Sequence, residues 1–162
     1  MVTLNHPAQG STSWFTPVDQ NWTTLENSLS AGVLVSQGTA TVTGGEQTTS
    51  SATFVDVTGA SVTFSLSSTA WVAIDAVLTT RLVVGDPYTR TGWGINVDGT
   101  DYNIGTTAND TNYSDYRMVS LHHELSLGAG SHTVKVRFER ITGGPCRVVS
   151  STDSPTRLYV RS

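Results

Sequence analysis

The chain has 162 residues, enough for one ordinary domain to bury a core without disulfide or metal staples. Charged residues are 14% of it and the formal net charge is -4, so no broad positive surface is on offer to phosphates, and nucleic acid is set aside as a partner. A single cysteine, Cys146, leaves no intrachain disulfide, and Lys (Lys135 alone) and Glu (Glu26, Glu46, Glu124 and Glu139) are scarce beside Ser, Thr, Gly and Val, so strand formers outnumber helix formers.

The opening run MVTLNHPAQGSTSW has neither a cationic start nor an apolar stretch, so no secretory signal is expected. No apolar run is long enough to cross a bilayer as a helix, and no membrane insertion is expected. Residues 17–30 predict one short amphipathic helix. Thr16 is placed to cap it, Pro17 suits its first position, and Val18, Trp22, Leu25 and Leu29 recur at helical spacing before Gly32. That stripe needs a surface to dock on.

After Ser36 the pattern turns to short alternating runs cut by Gly, Asn, Asp and Ser, the signature of successive antiparallel strands. Strands are expected over 38–43, 52–57, 60–66, 71–78, 92–98, 102–104, 116–126, 133–139, 146–150 and 156–161. Val62, Phe64 and Leu66 alternate with Ser61, Thr63 and Ser65, and Val134, Val136 and Phe138 alternate with Thr133, Lys135, Arg137 and Glu139. Trp71 to Leu78 is apolar on both faces apart from Asp75, as a central strand would be. Asp98-Gly99 marks a hairpin, and Thr58-Gly59 reads as a turn between two early strands. Eight or more strands in this length predict an all-β, jelly-roll-type antiparallel sandwich over 36–162, preceded by an N-terminal arm and helix over 1–35.

Chemistry is thin along the chain. In His122-His123-Glu124, strand geometry puts His122 and Glu124 on one face and His123 on the other, two ligands short of a closed zinc site. His6 and His132 are not spaced as ligands, and Asp98, Asp101, Asp110 and Asp115 read as turn formers without a calcium-loop series. Neither a metal nor another cofactor is expected. Cys146 lacks a context that would activate it, and no nucleophile elbow or phosphate-cradling loop is present. Glu124, Glu139, Asp75 and Asp98 are the acids from which a glycosidase pair would have to be drawn. Tyr88, Trp93, Tyr102, Tyr113 and Tyr116 fall in or beside expected loops. They either form a rim that stacks on sugar rings, or Trp93 and Tyr102 close the core while the rest are scattered surface rings.

Four phrases carry two family resemblances. TSSATFVDVTGASVTFSLSSTAWVAIDAVL (49–78), with INVDGTDYNIG (95–105) and ELSLGAGSHTVKVRF (124–138), is similar to the jelly-roll heads of bacteriophage tail and head appendages, and the last two also occur in jelly-roll carbohydrate-binding modules. QGSTSWFTPVDQNWTTLENSL (9–29) resembles the start of phage fibre and minor tail proteins, through Trp14, Val18, Asn21, Trp22, Leu25 and Glu26. No shaft or coiled-coil repeat separates arm from head, which departs from a long fibre. The resemblance implies a homotrimeric, non-enzymatic virion protein, either a short tail fibre or spike, a head fibre or a capsid decoration. Trp14, Phe15, Val18, Trp22, Leu25 and Leu29 would anchor it to capsid or tail proteins, and its outward role would be either to cement the shell or to meet host glycan through the rim of Tyr88, Trp93, Tyr102, Tyr113 and Tyr116. A free carbohydrate-binding module is the alternative, and a small glycan-active hydrolase or lyase the second.

Overall fold

The computed structural model describes residues 36–82, 88–108 and 115–162. The expected helix over 17–30, with the whole anchoring set, lies outside the described residues, as does Tyr113. What is described is built from ten strands: β1 (Ser36–Val42), β2 (Gly45–Thr49), β3 (Val55–Leu66), β4 (Ala70–Leu82), β5 (Arg90–Val97), β6 (Thr100–Ala108), β7 (Asp115–Leu127), β8 (Gly130–Thr142), β9 (Cys146–Ser150) and β10 (Thr156–Arg161).

The first sheet runs β1-β10-β4-β9-β2 with β7 on the other side of β4, and the second runs β3-β8-β5-β6. Register reduces this to eight strands. β10 pairs Arg157–Arg161 with Val77–Ala73 of β4, and β9 pairs with β4 farther along, at Thr79 and Thr80, so β9 and β10 are two pieces of one broken strand. β1 and β2 are likewise two pieces, pairing in turn with β10 and β9. The chain is then one nested antiparallel hairpin: the first strand pairs with the eighth, β3 with β8, β4 with β7 and β5 with β6. Folding that long hairpin over itself yields two four-strand layers, which is the jelly roll.

Period-two burial fills the space between them. Val62, Phe64 and Leu66 of β3, Val72, Ile74, Ala76 and Leu78 of β4, Val134, Val136 and Phe138 of β8, and Leu158 and Val160 of β10 all turn inward. β4 is the central strand its composition implied, with neighbours on both edges. Its apolar outward residues differ in fate: Ala73 is buried, whereas Trp71 stands 69% exposed.

Two expectations need correction. Thr58-Gly59 does not join two strands: residues 55–66 are one strand, and the register against β8 slips between Asp56 and Ser61. Val57 and Ala60 are both buried, so the chain bulges to keep both in the core, with Gly59 at φ 81°. The Gln47 side chain serves the bulge backbone, its Nε2 donating to the Asp56 carbonyl at 2.7 Å and its Oε1 accepting from the Thr58 N–H at 2.8 Å. β2, GEQTT, was not expected at all, because its polar run carries no alternation; its register with β9 holds it in the sheet. The run expected over 102–104 is the middle of the longer β6.

Candidate binding surfaces

The turn at Asp98-Gly99 has positive φ at both residues, 51° and 88°, as a two-residue hairpin with strand twist requires. Asp98 also reaches across to β8. Its carboxylate accepts from the Thr133 N–H and from His132 Nδ1, each at 2.7 Å, while His132 Nε2 lies 2.9 Å from the Gly128 carbonyl. Both ring nitrogens face acceptors, an arrangement that favours the protonated ring, in which both donate. The bond to Asp98 holds His132 above its ordinary 6.5, and the same bond holds Asp98 below 3.8. The histidine's contribution is therefore complete below pH 6.5 and is lost as pH rises through its folded value. That of Asp98 is complete above 3.8 and is lost as pH falls through its own. Urea unfolding is expected to show wild type losing about 1 kcal/mol more than His132→Gln between pH 5.5 and 9. Equal losses in the two proteins would remove the charged pair.

His122 and Glu124 do share the outer face of the first sheet. His122 Nδ1 bonds Asp75 Oδ1 at 2.7 Å and Nε2 lies 3.3 Å from Glu124 Oε1, while Arg161 closes on the other Asp75 oxygen. The Asp75 bond raises the His122 pKa. Burial alone would raise Asp75, but hydrogen bonds from His122 and Arg161 bring it below its ordinary value. The imidazole is a bridge between two carboxylates, and no group of three or more His, Cys, Asp and Glu among the described residues is arranged to hold a metal ion. His123 points inward and packs on the Tyr102 ring at 4.4 Å.

The acids do not converge as a glycosidase pair through their glutamates. Glu124 is on β7, outside the first sheet, and Glu139 is on β8 beside Gly92, outside the second, so the whole sandwich separates them. Cys146 is buried, its Sγ 3.7 Å from the Arg90 carbonyl oxygen, and burial pushes its thiol up, which suits a packed residue and opposes a nucleophile.

The aromatic set divides. Trp93 is 1% exposed and stacks on Phe138, so it belongs to the core and cannot present a ring face on a rim. The glycines on either side of it, in the strand expected over 92–98, lie on the outer side of β5, covered by Glu139 at Gly92 and by Phe54 at Gly94. Tyr102 is half-buried against the core. Tyr88 and Tyr116 are open, at 75% and 60%, at the end of the sandwich where β4 finishes and β5 and β7 begin, and the Arg81 guanidinium sits 5.8 Å from the Tyr116 ring centre. Sequence reasoning passed over Met118, 74% exposed, although its alternation with Val119 and Leu121 places it outside.

No family model and no curated protein matches the chain. Solved structures similar to it include Eiger TNF from S. frugiperda (TM-score 0.47, 11% identity, 80% of this chain and 92% of that one). Infectious bursal disease virus Gx strain has a TM-score of 0.45 at 14% identity over 77% of this chain, which spans 31% of that one, and murine APRIL 0.43 at 11% over 76% and 98%.

Proposed function

We propose that the chain is a virion structural protein, a phage surface appendage of the tail-fibre, spike, head-fibre or capsid-decoration type. In this reading the jelly roll assembles as a homotrimer, residues 1–35 fasten it to capsid or tail proteins through Trp14, Phe15, Val18, Trp22, Leu25 and Leu29, and it works in the virion. The observation that carries the structural role is how the roll spends its polar groups. Asp56, Asp75, Asp98 and Asp101 are each tied to a cation or imidazole, the lone thiol is buried, and Trp71, Tyr88, Tyr116 and Met118 stand open among the polar surface residues as large side chains suited to contact by area. The placement on a phage particle draws on the sequence resemblance of 9–29, 49–78, 95–105 and 124–138 to such appendages.

The test is attachment to particles. Residues 31–162 are expected to keep the β spectrum and the trimer and to lose co-sedimentation with virions. Loss of the β fold on that deletion contradicts the division into arm and head. A second reading, glycan binding, is favoured by the exposed rings of Tyr88 and Tyr116. Glycan-array binding that disappears in Tyr116→Ala, with the fold intact, supports a receptor-binding spike or a free carbohydrate-binding module over simple cement. The proposal gives the chain no catalytic step, and polysaccharide turnover abolished by Glu124→Gln or Glu139→Gln would overturn that part.

A further inference from the structure

The two outer faces of the sandwich are finished differently. Over the second sheet, Gly92, Gly94 and Asn96 of β5 are buried although they point away from the core. The Phe54 ring lies on Gly94, where an added Cβ would come within 2.9 Å of Cζ. Arg137 binds Asp101, Asp56 and the Phe54 carbonyl, Lys135 binds Asp56, and Asn96 donates to Asp101. The strip of that face over β5 is thus covered by its own chain, and what stays open beside it on β3 is small and polar, Ser61, Thr63 and Ser65. Outside the first sheet, Trp71, Tyr116 and Met118 stand open on β4 and β7.

We infer that the outer face of the first sheet is the surface on which copies of this chain pack against one another, the partner being a second copy; this rests on the homotrimer reading and names its contact. Size fits. β4 and β7 have 13 residues each. Four strands spaced about 4.8 Å apart, with about 3.3 Å of rise per residue, make a face of roughly 800 Å². Summed over the two neighbours that a copy has in a trimer, that is about what one partner contributes to a standard interface, and each pairwise contact takes roughly half of it. Charge fits as well. Asp75 is held by His122 and Arg161, and Glu46 is held by Arg81 and lies near Arg147, so covering the face strands none of these acids. A groove of about 270 Å³ offers a seat of mixed character, apolar at Val77, Met118, Pro155 and Tyr159 and polar at Thr79 and Ser154, with Asp153 and Arg157 also on its lining. These two carry opposite charges, so each copy presents the other with a complement to its own.

Sedimentation equilibrium of the full chain tests this. Wild type is expected to be trimeric at micromolar concentration. Met118→Glu and Trp71→Asp should each raise the concentration for half-assembly by at least about 30-fold, with an unchanged far-ultraviolet spectrum. Ser65→Arg, on the outer face of the second sheet, should leave it unchanged. Maleimide labelling of Ser120→Cys, a neutral change on the same face, should be slowed by assembly, Cys146 being buried. Full assembly of both face variants, with Ser120→Cys labelled equally fast at all concentrations, overturns the inference and leaves the trimer standing. A monomeric wild type removes the trimer and this contact together.

Discussion

Trp93→Ala is expected to cost about 3–5 kcal/mol of unfolding free energy, read as a lower urea midpoint. The indole is enclosed between the sheets. Its ring stacks on its cross-strand neighbour Phe138, 6.1 Å between centroids and 18° between planes, and its Nε1–H donates to Thr107 Oγ1 at 2.9 Å. Truncation removes the apolar area, leaves a cavity that two hydrogen-bonded sheets cannot close, and orphans the Thr107 contact. A loss under about 1 kcal/mol would instead mean an accessible ring, and would restore Trp93 to the sugar-stacking set.

The turn between β8 and β9 carries the second large effect. Gly143 has φ 80°, and a Cβ there would lie 2.6 Å from Thr89 Cα and 2.7 Å from its backbone nitrogen. Backbone cannot rotate out of the way as a side chain can. The Gly144 N–H also donates to Thr89 Oγ1 at 2.9 Å, so any shift breaks the clasp between this turn and the start of β5. Gly143→Ala is therefore expected to cost about 3 kcal/mol, the left-handed backbone and the clash each adding to it. Gly99→Ala is the control. Its φ is 88° but nothing lies within 4 Å of the added carbon, so only the backbone contribution of about 1 kcal/mol should appear. Equal losses at the two glycines would mean that Thr89 does not press on the turn.

The strands were legible where one side faces water and the other the core. Ser61 to Leu66 and Thr133 to Phe138 alternate because β3 and β8 each have one wet face, and Asp98-Gly99 announced its hairpin because few other pairs adopt positive φ twice. The nesting of first strand on eighth was not legible, since it depends on contacts between residues more than a hundred positions apart, such as Ser36 with Arg161. β2 escaped because Glu46 and Gln47 are polar for reasons beyond the strand itself, one pairing with Arg81 and the other bracing the bulge. On the binding surfaces, composition left Trp93 open between a sugar-stacking rim and the core; the core reading is the one observed, and its glycine neighbours let Glu139 and Phe54 lie close over β5. Alternation was the better guide: applied to β7 it sets Tyr116 and Met118 outside and Val119 and Leu121 inside, the division observed.

The solution mass of the full chain bears most directly on the account of a jelly roll built to assemble with itself. At micromolar concentration it is expected to sediment at three times its 17.2 kDa. A single species at 17.2 kDa under those conditions would contradict it.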